Sequence, residues 1–284
     1  MRIFRTAFLL AALTLFLMFV GEYVGGRSGM TFGLGIAVVM NAFAYFFSDK
    51  IALMSSGAQP VTREQLPRLY AVMERLVAKA NLPLPKLYVV PQAAPNAFAT
   101  GRSPRHASVA VTQGLLELMN DDELEGVIAH ELSHVRNYDI LISSIAATLA
   151  GAVTWIAHWS PFLGLGNRDD RERGGNVILE LALMILAPLG AMLLQLGLSR
   201  QREYSADETG ARMVGQPFGL ISALQKLEAY NQRIPTTALA PATAALCIVR
   251  PRFSLGSLSS LFSTHPPLKA RVEALRQMTS TPLR

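Results

Sequence analysis

The chain has 284 residues, enough for one large or two small domains, but 51% are apolar and 16% charged. Soluble domains usually carry about 25% charged residues, so an ordinary soluble protein is disfavoured and a membrane protein is expected. The net charge of +6 lies beside apolar segments and forms no long basic run, which argues against a nucleic-acid partner. A lone cysteine, Cys247, excludes an intramolecular disulfide framework, fits a reducing compartment and reads as a buried apolar side chain.

Residues 3–20 are apolar apart from Arg5, which can snorkel to an interface, and residues 30–47 carry no charge. They predict a retained transmembrane hairpin over residues 1–47. A cleaved signal peptide fits less well, because GEYVGG offers no clear cleavage site and a second span follows at once. Arg2 and Arg5 precede the first span, and Lys50, Arg63 and Arg68 follow the second, whereas the loop between carries Arg27 alone. The positive-inside rule therefore places both termini and residues 48–139 in the cytoplasm.

Residues 48–139 read as soluble α+β. LPRLYAVMERLVAKA sets Leu66, Leu69, Met73, Leu76, Val77 and Ala80 at helical spacing. KLYVV and ASVAVT read as short strands, separated by the turn-rich PQAAPNAFATGRSPRH. Asn120 with Glu123 three positions on predicts a capping box and a helix running through Asp139. Residues 140–166 are uncharged and residues 177–199 carry only Glu180, which predicts a second hairpin over 140–199 with NRDDRERGGN outside. In residues 200–284, LISALQKLEAYNQ and PPLKARVEALRQM read as amphipathic helices.

The chemistry sits in GVIAHELSHVRNYD. On a helix, His130 and His134 share one face a turn apart and can present imidazole nitrogens to one ion, with Glu131 beside them to activate water. A hydrolytic zinc needs a third protein ligand and leaves one position open. The other histidines are His106, His158 and His265, and none follows His134 closely. SRQREYSADETGA offers Glu203 as a ligand and Asp207, one turn on, as an acceptor for the N–H of a ligating histidine. The alternative for that segment is a charged juxtamembrane helix with arginine partners. Two spans between His134 and Glu203 return the chain to the same side of the membrane, so the two can share an ion.

PNAFATG, AHELSH, SRQREYSADETGA and STHPP, in that order among four apolar segments, closely resemble the HtpX family of bacterial membrane-integrated zinc metalloproteases, which is related to the CAAX prenyl proteases. The resemblance covers nearly the whole chain. It implies a mainly α membrane protein with a small α+β zincin-like catalytic domain in the cytoplasm, whose first part is residues 48–139 and second part 200–284. It makes His130, His134 and Glu203 the ligands of one Zn2+ per subunit, Glu131 the general base and Asp207 the acid behind a ligand. Asn96 and the main chain of Ala97 become substrate-backbone contacts, although from the residues alone Asn96 after Pro95 is a turn residue. His265, ahead of Pro266 and Pro267, is either a residue that stabilises the oxyanion or a structural residue at a helix start. His158, between Trp155 and Trp159, fits an interfacial aromatic belt.

The implied activity is metal-assisted hydrolysis of polypeptides, especially misfolded or damaged membrane proteins, at the bacterial inner membrane. Two other readings compete. A membrane-anchored zinc protein that binds unfolded chains without cutting them has no need of Glu131. A small-molecule transporter would carry several intramembrane charges, where Glu180 is the one candidate.

Overall fold

The computed structural model describes residues 2–141, 143–145, 200–233 and 266–279. The rest of the second hairpin, with His158 and Glu180, and the stretch 234–265, with Cys247 and His265, lie outside the described residues.

The first element, α1 (Arg2–Ser55), is two helical legs joined at Gly25 and Gly26. Gly26 sits at φ 59°, ψ −146°, a conformation essentially reserved for glycine, so the chain reverses there. The legs pack on each other: the Asn41 amide donates to Leu10 O at 3.2 Å and to Thr14 Oγ1 at 2.9 Å. The second leg, Gly25–Ser55, is long and apolar enough to cross a membrane, and Phe32, Val39 and Phe43 on it are exposed. The helix continues past the apolar run to Ser55, and its last turns serve the domain that follows.

That domain holds a four-stranded sheet of β1 (Gln59–Pro60), β2 (Lys86–Val90), β3 (Ala97–Gly101) and β4 (Ala107–Thr112), in the order β1-β2-β4-β3. The β2–β4 pair is parallel; β1–β2 and β3–β4 are antiparallel. Strand β3 arises inside the stretch expected to be turn-rich. Its alanines and glycine hide the strand signal, because β-branched enrichment is weak there. The alternation of the pleat gives the sheet two buried faces. Leu87, Ala97, Ala99, Val109 and Val111 face α2 (Pro67–Ala80) and α4 (Asp121–Arg136). On the other face, Val90, Phe98 and Ala110 pack on Ala52 and Leu53 from the end of α1. The sheet therefore rests on the C-terminal end of the second leg, opposite the turn at Gly25 and Gly26.

Between β4 and α4 lies the short α3 (Gln113–Leu118). Helix α4 starts on the expected capping box: Asn120 Oδ1 accepts from Glu123 N, and Glu123 Oε2 accepts from Asn120 N, both at 2.9 Å. Glu123 is buried and also ties α4 to α6 (Phe218–Arg233), accepting from Ser222 Oγ at 2.6 Å and Lys226 Nζ at 2.7 Å. Burial opposes ionisation, yet these donors and the Lys226 charge hold the carboxyl below its usual range. A depressed carboxylate pKa contributes stability above the unfolded-state value, and that stability is lost as pH falls through the folded-state value. Glu123→Gln should therefore cost about 1–3 kcal/mol at neutral pH, with a gap to the parent that narrows under acid. Denaturant titrations at pH 7 and below 4 measure it.

The chain closes with α5 (Arg200–Val214), α6 and α7 (Leu268–Thr279). Helix α4 is the hub, packed by α5, α6, α2 and β3. It ends at Arg136, three residues short of the expected Asp139. Tyr138 adopts φ 59°, the left-handed region, and helix resumes at residue 139. The turn swings Asp139 back toward His134, so the helix does not run unbroken through Asp139 as expected.

Candidate metal centre

Helix α4 carries His130, Glu131 and His134 in its last two turns, and all but His134 are almost fully buried. Helix α5 lies close enough against it to add Glu203 and Asp207. Gly210 permits this approach, since a Cβ there would come within about 3.0 Å of the His130 backbone nitrogen. One ligand atom each from His130, His134 and Glu203 falls within a 4.8 Å cluster. The two Nε2 atoms are 3.2 Å apart, His130 Nε2 is 3.7 Å from Glu203 Oε2, and His134 Nε2 is 3.7 Å from Glu203 Oε1.

The groups behind the ligands decide what this cluster can hold. His130 Nδ1 lies 2.9 Å from Asp207 Oδ1, and His134 Nδ1 lies 3.4 Å from Asp139 Oδ2. Each acid fixes its imidazole with the proton on Nδ1, so both Nε2 lone pairs point at each other and at a carboxylate. With both imidazoles neutral that convergence is repulsive, and a cation at its centre relieves it. With Zn–N bonds of about 2.0–2.1 Å, tetrahedral ligands sit roughly 3.3 Å apart, close to the spacing found. The donor set therefore fits a divalent ion of the zinc type.

Charge balance comes from Arg271 on α7, whose side chain is fully buried. Its guanidinium grips Asp207 bidentately, Nη2–Oδ1 at 2.6 Å and Nε–Oδ2 at 2.8 Å, and its Nη1 is 3.6 Å from Glu203 Oε2. Against the burial penalty, Arg271 holds Asp207 below the usual carboxylate range. Burial, helped by the neighbouring Arg271 charge, pushes His130 below its ordinary value, against the Asp207 hydrogen bond. His134 is shifted up: burial opposes this, but Asp139, Glu203 and Glu131 outweigh it. Glu131 is pushed up to about 7, chiefly by burial and then by Glu203, while His134 and a hydrogen bond from the Ala99 N–H oppose the shift.

That Ala99 bond places β3 against the site. Thr112 N donates to Asn96 O at 2.9 Å, one step beyond the antiparallel pairing of Ala97 with Val111. By the alternation of such ladders, the backbone groups of Ala97, Ala99 and Gly101 point away from β4, where the Ala99 N–H meets Glu131 and the Gly101 N–H meets Ser144 Oγ. Asn96 and Ala97, both buried, stand at the start of the strand. His106 is elsewhere, 3.0 Å from Ser103 Oγ in an exposed position.

Arg271 and Asp139 were not among the candidates read from sequence. Arg271 had a signal: with Leu268, Val272 and Leu275 it shares the buried stripe of α7, where a cation demands a buried acid. Asp139 lies five residues after His134, off helical spacing, and reaches it only because of the turn at Tyr138.

Residues 63–279 match the sequence profile of Peptidase family M48. The chain is 54% identical over 276 residues to a protein named Protease HtpX homolog from Desulfatibacillum aliphaticivorans, covering 95% of this chain and 88% of that one. A protein of the same name from Syntrophotalea carbinolica is 48% identical over 283 residues, covering 98% and 99%. One from Thermococcus sibiricus is 47% identical over 279 residues, covering 96% and 95%. Among solved structures, the crystal structure of S. mikatae Ste24p is similar in fold, with a TM-score of 0.53 at 19% identity, covering 93% of this chain and 62% of that one.

Proposed function

Because this chain belongs to peptidase family M48, we propose that it is a membrane-bound, zinc-dependent endopeptidase that hydrolyses misfolded or damaged membrane proteins. One observation carries the metal part of this reading. Two imidazoles, each turned by an acid on its Nδ1, aim their remaining nitrogens at the Glu203 carboxylate. His130, His134 and Glu203 are thus the proposed zinc ligands, and Glu131 the proposed base.

When bound, the ion supplies Lewis acidity, acidifying a water molecule and polarising the scissile carbonyl. The protein does the rest. Glu131 takes the water proton on a carboxylate oxygen and returns it to the leaving amine nitrogen. Asp207 keeps His130 in one tautomer, and Arg271 keeps Asp207 ionised. The Asn96 side chain and the main chain of Ala97, at the start of β3, are the proposed contacts for an extended substrate backbone beside Glu131. His265, outside the described residues, is proposed as an aid to the oxyanion.

Two features support a site at the membrane surface. The sheet sits on Ala52 and Leu53 at the end of the apolar leg, and Glu203 follows the apolar run 177–199 by four residues. On this reading both termini and the catalytic halves, 48–139 and 200–284, are cytoplasmic, and the hairpins 1–47 and 140–199 cross the inner membrane. Substrates are met where their loops or tails emerge from the bilayer. Reporter fusions at Arg171 test the topology: an external readout supports it, and a cytoplasmic one removes it. For the metal, purified wild type should hold one zinc ion per chain and His134→Ala none; zinc retained at wild-type level in the variant would remove His134 from the ligand set.

A further inference from the structure

The metal cluster is backed by two arrangements of the same kind. On one side His130 meets Asp207, and Asp207 meets Arg271. On the other, His134 Nδ1 is 3.4 Å from Asp139 Oδ2, and Arg202 Nη1 is 3.9 Å from Asp139 Oδ1. The first set lies inside the soluble domain. The second lies at the boundaries of the second apolar hairpin, since Asp139 directly precedes the run 140–166 and Arg202 follows the run 177–199.

We propose that Asp139 is a positioning residue that fixes the His134 imidazole through its Nδ1, and that Arg202 acts through Asp139, so that the geometry of the metal centre is set where the chain enters and leaves the second hairpin. The inference rests on the zinc-peptidase reading above and adds to it.

Several placements make Asp139 suited to this task. It is 6% exposed, so its carboxylate competes with little water for the imidazole N–H. The left-handed turn at Tyr138, φ 59°, redirects the chain so that the side chain faces back to α4. A helical residue at that position would lie on another face, because five residues advance about 500° around a helix. The start of the new helix is itself anchored to β3: Ser144 Oγ lies 2.6 Å from Thr100 Oγ1 and accepts from Gly101 N at 3.4 Å. The helix that begins at Asp139 is thus tied to β3 through Ser144, and Asp139 itself meets α5 through Arg202. An acid hydrogen-bonded to a ligating imidazole fixes its orientation and raises its basicity, and removing one typically weakens metal binding 10–100-fold.

The test uses the full-length protein in detergent and reads zinc affinity by chelator competition, the visible spectrum of the cobalt(II) form, and kcat/KM on a peptide. Asp139→Ala should bind zinc about 10–100-fold more weakly and change the cobalt bands, whereas Asp139→Asn, which still accepts from Nδ1, should recover most of both. Arg202→Ala should weaken zinc binding less, and should add little on top of Asp139→Ala. Wild-type affinity and spectrum in Asp139→Ala would overturn the proposal. So would a metal-free Asp139→Ala protein that melts below the metal-free parent while its affinity, measured on the folded fraction, is unchanged, because Asp139 would then hold the fold alone. If wild type binds zinc and needs Glu131 while Asp139→Ala is silent, this inference fails and the peptidase stands. If wild type binds no zinc, both fall.

Discussion

Glu131→Gln should leave one zinc ion per chain and lower peptide cleavage by about 10²–10⁴-fold, the usual worth of a positioned general base. The amide has the size and shape of the acid, so the packing of this buried side chain survives, and its oxygen can still accept from the Ala99 N–H. The lost capacity is specific: an amide cannot take a proton from water at neutral pH or deliver one to an amine. The three proposed ligands are untouched, so metal content and activity separate. Zinc analysis beside casein digestion reads both. Normal cleavage would remove Glu131 from the chemistry, and loss of zinc would move it into the ligand set.

Arg271→Met should be the most damaging single change outside the proposed ligands, costing about 3–5 kcal/mol, the usual penalty for breaking a buried ion pair from one side. Methionine fills much of the volume, so the cost is electrostatic. Asp207 would lose its bidentate partner and Glu203 a cation 3.6 Å away, both in a nearly water-free site. The sign with pH follows from Asp207. Held below the usual carboxylate range by Arg271, it contributes stability at neutral pH that is lost only as pH falls through that depressed value. In Arg271→Met the burial penalty acts unopposed by the guanidinium, so the acid-sensitive range moves upward. Asp207→Asn added to Arg271→Met should restore part of the stability, because it removes the stranded charge. Denaturant unfolding from pH 4 to 8 measures both effects; an Arg271→Met protein as stable as the parent would show that the pair contributes nothing net.

What the sequence revealed about this molecule depended on whether the information was local. The capping box at Asn120 and Glu123, the amphipathic α2 and the histidines four apart are short-range patterns, and each folds as its spacing dictates. Glu203 and Asp207 were legible as candidates because they repeat a helical interval beside a second apolar run. Strand β3 was hidden because Ala97, Ala99 and Gly101 carry almost no β signal, and its strand state comes from pairing with β4. Asp139 was hidden by one backbone dihedral at Tyr138, which no periodicity encodes. Arg271 was legible in principle, as a cation on an apolar stripe, but its partner lies 64 residues away in the chain.

The same contrast explains how the site is built. Helix α4 alone offers two imidazoles and a carboxylate, which is a motif without a third ligand. Glu203 and Asp207 arrive on α5 because Gly210 lets that helix approach, and Arg271 arrives on α7 to balance the acids. Three helices and strand β3 thus converge on the His130, His134 and Glu203 cluster, and the sheet rests on the end of the second apolar leg.

Chelation and zinc titration of the purified full-length protein, with casein cleavage as the readout, test whether the chain is a zinc-dependent peptidase. Cleavage should disappear when zinc is removed and return in proportion to added zinc, saturating at one ion per chain. Cleavage that continues undiminished in the metal-free protein would contradict a zinc-dependent mechanism.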